Sequence, residues 1–304
     1  MSLAPPPAGP VAFAPYRAAV LMVLAVFCFS ILNAAAKALE ADYPTLQLIV
    51  FARLLSVPMA IWLAWRAGGM HLLGTRRPVT HLARGLFALG SMATFIYALG
   101  HMTISKAISI NFAAPLFVAM FAALLLGERV GPRRWAAILV GFAGILIIVR
   151  PADGTLDLAT MLAVASAVCY AGTVILTRRL ALTETSPAIL FYFGLIVAVL
   201  PALALPFLWI TPTGDAIWQF ALVAVAGTLA WYLMAEAYRF GEASLVVPLD
   251  YTHLLFAVAF DWLIFAVLPG WPTFVGGALI VGANLFILWR EAQLDRRAAA
   301  RRAP

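Results

Sequence analysis

Asp250, His253 and Asp261 stand at spacings of three and eleven within one apolar stretch. On a continuous helix those spacings place all three along one face. A carboxylate beside an imidazole in low-dielectric surroundings can change charge as water reaches it, which is the chemistry of a proton-coupled carrier. The same pair can instead be a hydrogen bond that fixes helix packing, with Asp261 only meeting the outer interface. Arg53 lies about eight residues, or about 12 Å, into another apolar run. Its guanidinium suits a carboxylate or phosphate on a substrate; the other reading is a tie between helices through carbonyls or a carboxylate.

Further polar groups extend the set. Glu236 sits with Tyr232 and Arg239 on one helix face. It is either a carboxylate at a cavity mouth, favouring a cationic or zwitterionic substrate, or half of an interfacial pair with Arg239. Lys106 precedes Asn111 in the stretch Ser105–Ser109, and Lys37 closes an earlier run; each lysine either serves the path or snorkels to an interface. Polar residues recur at helical spacing as Ser30, Asn33 and Lys37, as Ser91, Thr94 and His101, and as Ser166, Tyr170 and Thr173. Such stripes line a wet face or pack helices together.

The elements that must position these groups follow from composition. Of 304 residues, 64% are hydrophobic and 11% charged, against about 25% charged in soluble domains. Runs long enough to cross the hydrocarbon layer fall at 17–39, 45–66, 79–101, 104–126, 132–150, 156–178, 186–209, 215–239, 243–267 and 271–290. Residues 1–16, rich in Pro and Ala, read as a disordered leader, and the first run is long enough to be retained in the membrane rather than cleaved. Residues 292–304 read as a basic cytoplasmic tail. Pro58, Pro115 and Pro248 interrupt runs and free backbone carbonyls. Cys28 and Cys169, both in apolar segments, read as packing residues.

The net charge of +7 comes from short basic clusters between the runs, which is an orientation signal and not a nucleic-acid footprint. With the N-terminus inside, the cytoplasmic set includes Arg17, Arg66, Arg76, Arg77, Arg84, Arg129, Arg133, Arg134, Arg178, Arg179, Arg239 and Arg290. Lys37 and Arg150 fall outside, beside Glu40, Asp42, Asp153, Asp157 and Asp215. Both termini are then cytoplasmic.

A shift of 139 residues pairs Ser105 with Ser244, Phe117 with Phe256, Phe121 with Phe260 and Gly131 with Gly270. It also brings Asn111 onto Asp250 and Tyr97 onto Glu236. Five runs per half is an odd number, so the copies enter the membrane from opposite sides. The expected fold is an all-α membrane protein of ten transmembrane helices, built as two inverted five-helix repeats at 17–151 and 152–291. Inverted repeats with substrate between them point to secondary transport by alternating access.

Two segments carry a specific resemblance. Asn111–Pro151 runs NFAAPLFVAMFAALLLGERVGPRRWAAILVGFAGILIIVRP, a polar residue, a proline, a long apolar helix, Leu-Gly-Glu, and a last helix ending in Arg-Pro. Ala237–Glu291 repeats the Ala-Ser, Pro-Leu-Asp-Tyr-Thr and apolar-helix elements. Over about residues 18 to 291 the chain resembles the drug/metabolite transporter superfamily, in the branch with two EamA-type domains. The resemblance implies a central cavity and ATP-independent transport of small metabolites such as amino acids, riboflavin, S-adenosylmethionine, nucleotide-linked sugars or opines. Leu126–Glu128 is replaced by Phe265–Val267 in the second half, so Glu128 reads as a helix-end element beside Arg129.

The expectation is therefore a cytoplasmic-membrane carrier of a small polar or zwitterionic metabolite, without a cofactor, using Asn33, Arg53, Tyr97, Lys106, Asn111, Tyr170, Glu236, Asp250 and His253. Protons are the candidate coupling ion. Export is favoured on the resemblance, with nutrient import as the runner-up. An enzyme is disfavoured because no His-Glu-x-x-His pair, Gly-x-Ser-x-Gly elbow or phosphate-cradling loop is present. A non-transporting sensor would usually carry a soluble output domain. Monomer and homodimer both stand, the latter through Gly276, Gly277 and Gly282.

Overall fold

The computed structural model describes residues 14–126, 131–149, 157–241 and 243–302, and all regular structure in them is helical. Thirteen α-helices follow in order: α1 Pro15–Glu40, α2 Thr45–Arg53, α3 Ser56–Ala67, α4 Pro78–His101, α5 Ile104–Asn111, α6 Ala114–Leu126, α7 Pro132–Val149, α8 Leu158–Ala181, α9 Ser186–Leu208, α10 Gly214–Phe240, α11 Ala243–Asp250, α12 Thr252–Leu263 and α13 Trp271–Arg302. Among the described residues, nine helical spans are long and apolar enough to cross a membrane. The run expected at 132–150 is α7, whose apolar part is the shorter Trp135–Val149, about 22 Å at a helix's rise per residue.

Three expected spans are broken. The run 45–66 divides at Leu54–Leu55, 104–126 at Phe112–Ala113, and 243–267 at Tyr251. Pro58 and Pro115 account for the first two, because a proline has no N–H for the carbonyl four residues earlier and its ring crowds that carbonyl. Pro248 does not account for the third: it lies inside α11, as Pro201 and Pro206 lie inside α9, and the break comes three residues after it. The shift of 139 residues carries α5 onto α11 end for end, and carries the last residue of α4 onto the last residue of α10.

Pro15 and Tyr16, assigned to the leader, instead open α1 with proline in the first turn, where its missing N–H costs nothing. Residues 1–13 lie outside the described set, as do Glu128, Arg129, Arg150 and Asp153. At the other end α13 continues through the tail to Arg302, a stretch of strong helix formers, Ala, Arg, Gln and Leu.

The chain forms two compact units, and each draws on both halves of the sequence: 1–89 with 176–250, and 90–175 with 251–304. In the first unit α1 packs along α10, and α9 packs on α2 and α3. Ala18, Met22, Ala25 and Val26 form the buried stripe of α1. In the second unit α13 lies along α7, and α5 packs against α12 and α13. Gly144 and Gly276 allow the first of these contacts: a Cβ on Gly144 would stand 2.7 Å from the Gly276 carbonyl oxygen.

Candidate functional site

In the second unit, α5 and α8 are joined by two polar bridges. Thr103 opens α5 by accepting a hydrogen bond from the Lys106 N–H, an N-cap that satisfies one of the free donors of the first turn. Lys106 Nζ then reaches α8 and donates to Thr160 Oγ1 at 2.9 Å. Thr160 is almost fully buried, so the ammonium is held in place and does not snorkel freely to an interface. Asp157, just ahead of α8, accepts from the Thr160 N–H at 2.7 Å. Burial raises the Asp157 carboxyl, but the hydrogen bonds from Thr160 and the Lys106 charge outweigh it and hold the group below the usual carboxylate range.

One and a half turns further along α5, Asn111 Nδ2 donates to Ser166 Oγ at 3.3 Å. Ser166 Oγ donates to the Ser91 carbonyl at 2.9 Å, and Ser91 Oγ returns a bond to the Ser166 carbonyl at 3.0 Å. Ser91 and Ser166 are both buried. Gly90, with Cys169 Sγ 3.5 Å from where its Cβ would be, lets α4 and α8 approach closely enough for this exchange. Asn111 is the last residue before the α5–α6 break, where the Phe112 carbonyl is taken by Asn284 Nδ2 at 2.7 Å.

The other stripe residues divide by partner. Ser30, Thr94 and Thr173 bond the carbonyl four residues back on their own helices, so they satisfy themselves locally and bend or pack helices. His101 is exposed, stacks on Tyr97 with centroids 4.3 Å apart, and bonds the Tyr97 carbonyl. Tyr170 is 40% exposed and Asn33 is buried on α1.

The expected single face of Asp250, His253 and Asp261 does not exist. The break at Tyr251 ends α11 at Asp250 and starts α12 ahead of His253, and a helical count does not run through it. Asp250 lies in the first unit, at the end of α11. His253 lies in the second, its ring 6.5 Å from that of Phe112. Asp261 is fully buried. Its carboxylate accepts the Ile104 N–H at 2.8 Å, the Ser105 N–H at 2.8 Å and the Ser105 hydroxyl at 2.6 Å. Three donors at the positive end of α5 neutralise the carboxylate.

In the first unit, Arg53 stands over the Phe193 ring at 4.9 Å and near Trp231 at 5.9 Å. Arg84, grouped by sequence with the cytoplasmic arginines, is buried instead. It donates to Thr177 Oγ1 at 2.6 Å and to the Ile189 carbonyl at 3.0 Å, and its guanidinium lies 4.7 Å over the same Phe193 ring. Two guanidinia thus share one aromatic ring, a cation–π arrangement that gains strength away from water. Glu236 pairs with Arg239 at 2.9 Å on the surface of α10. His81 and Glu184, absent from the sequence-based set, approach to 3.9 Å with both side chains buried.

A profile of the EamA-like transporter family matches residues 16–150 and again residues 157–289. The chain is 32% identical to a riboflavin transporter of Rhizobium johnstonii, over 92% of its own length and 94% of that protein. It is 30% identical to a pseudopaline exporter of Pseudomonas aeruginosa, over 86% and 93%, and 28% identical to an S-adenosylmethionine uptake transporter of Rickettsia bellii, over 73% and 77%. The fold is similar to that of a protein solved by crystallography, with a TM-score of 0.61 at 22% identity, covering 89% of this chain and 96% of that one.

Proposed function

The chain belongs to the EamA-like transporter family and is a small-molecule transporter embedded in the inner membrane as a multi-pass protein, and from that premise we propose that it takes up a small polar or zwitterionic metabolite by alternating access, with a riboflavin-like compound as the first substrate to test. The observation that carries this reading is the pair of part-buried bridges, Lys106 to Thr160 and Asn111 to Ser166. Both stand in helices otherwise made for hydrocarbon, where polar groups are costly and mark substrate paths. An ammonium and an amide can exchange a hydroxyl partner for a carbonyl, carboxylate or phosphate oxygen on a passing solute at little net cost.

The name of the riboflavin transporter, matched over nearly the full length of both chains, carries no direction; the inward direction is proposed because another relative is named for uptake. The pseudopaline exporter supports the opposite direction. In this reading α7 is the tenth crossing, the halves are inverted, both termini are cytoplasmic, and the protein works as a monomer. Asp250 carries the coupling proton, Arg53 holds an anionic part of the solute, and Asn33, Tyr97, Tyr170, Glu236 and His253 meet the solute.

Purified protein in liposomes tests the proposal. Radiolabelled riboflavin and S-adenosylmethionine are offered from each side, with and without a pH gradient. Saturable inward flux, driven by an inside-alkaline gradient and made insensitive to it by Asp250→Asn, is the expected result. Binding without flux from either side would refute transport of these compounds.

A further inference from the structure

Beside the close contact of Gly144 with Gly276, residues of α7 and α13 line an open groove of about 310 Å³. Ala137 and Ala283, both buried, form its floor together with Gly282. A Cβ at Gly282 would meet nothing within 4 Å. Val140 and Phe286 are the exposed walls, and Arg133 stands at one end. Every lining group except that guanidinium is apolar. Arg290 lies one turn beyond Phe286 on the same face of α13, so a second cation stands at the Arg133 end. Trp135 and Trp289, 37% and 56% exposed, flank that end, the placement expected of aromatic side chains at the boundary between hydrocarbon and water.

We propose that this groove binds an anionic phospholipid, with its phosphate on Arg133 and one acyl chain along the floor at Ala137, Gly282 and Ala283. The groove opens onto a surface that faces lipid in a membrane protein, and a basic group at the mouth of a pocket between spanning helices selects anionic headgroups. A second copy of the chain is the poorer occupant. A two-fold dimer in one membrane sets the same patch against itself, which would bring Arg133 and Arg290 of both copies together, and like charges across an interface are costly. Two of the three glycines expected to form a dimer face are already spent within the chain: Gly276 on Gly144 and Ile148, and Gly277 on Ser109 and Leu254.

Native mass spectrometry of the detergent-purified protein tests this, with phosphatidylglycerol or phosphatidylcholine of identical acyl chains added. The wild type is expected to retain phosphatidylglycerol over phosphatidylcholine. Arg133→Gln, a change at an exposed position, should reduce phosphatidylglycerol retention about fivefold and phosphatidylcholine retention much less, so that the preference between the two is lost. Gly282→Leu, which fills the floor, should lower retention of both. Equal retention of the two lipids by the wild type, or no effect of Arg133→Gln, overturns the proposal. So does a dimer mass that Gly282→Leu dissolves.

Discussion

Phe112 and Tyr251 meet edge to face, their ring centroids 5.0 Å apart. Each is the residue at which a long apolar run stops being a helix, and the shift of 139 residues that carries α5 onto α11 carries one onto the other. The two breaks are therefore packed against each other. A double-mutant cycle with Phe112→Ala and Tyr251→Ala, read by thermal unfolding in detergent, should return a coupling of about 1 kcal/mol. Additive single effects would show that the rings only share a neighbourhood.

The three bonds of Asp261 to the first turn of α5 give a second expectation. Asp261→Ala should destabilise the protein by about 3 kcal/mol, since it leaves two buried backbone donors and a hydroxyl without their charged acceptor. Asp261→Asn, which keeps the shape and one acceptor oxygen, should cost less. If denaturant unfolding ranks the two variants equally, the carboxylate is not the support of that helix.

The Lys106 and Asn111 bridges separate function from stability. Lys106→Met retains the aliphatic stem and loses the ammonium, and Asn111→Ala removes the amide; each should lower flux in liposomes about tenfold or more. The Asn111 amide bond contributes about 1 kcal/mol to folding and the charge-assisted Lys106 bond about 2 kcal/mol, so the unfolding temperature should fall by only a few degrees in either variant. Flux that falls only in proportion to the folded fraction would reduce both bridges to packing.

Asp157 sets an acid limit. Its carboxyl is held below the usual range in the folded protein, so its contribution is fully present above the unfolded value of about 3.9 and is lost as pH falls through the lower folded value. Thermal stability should therefore drop as pH falls below about 4, and Asp157→Asn should flatten that part of the profile while leaving the neutral region parallel. A variant with the same acid slope as the wild type would place the effect in another group.

The spans were legible because their signal is local: an apolar run of sufficient length states its own environment. The repeat was legible for the same reason, and helix ends at His101 and Phe240, or at Asn111 and Asp250, coincide under the shift. Hydropathy carries no trace of a break, however, since Leu54, Phe112 and Tyr251 are as compatible with hydrocarbon as their neighbours. Arg84 was read from its distance to a segment end, which does not reveal that its side chain turns inward to Thr177 and Ile189. The support that Asp261 gives to α5 was not legible, because its partners are backbone donors far away in sequence and no pattern of side chains marks them. Among the residues of the polar bridges, Lys106 and Asn111 stood out by type, whereas Ser91 and Ser166 looked no different from Ser30 or Thr94, which bond their own helices.

The tie between Asp261 and Ile104 spans 157 residues, and that distance governs the order of biogenesis. The α5 segment leaves the ribosome and enters the bilayer long before its acceptor has been translated, and the Phe112 carbonyl waits longer still for Asn284. At the positions that the shift assigns to these two buttresses, the first half carries Ala122 and Ile145, so it cannot supply substitutes from within itself. An N-terminal fragment ending between the two EamA-type halves thus lacks both buttresses of the α5–α6 region.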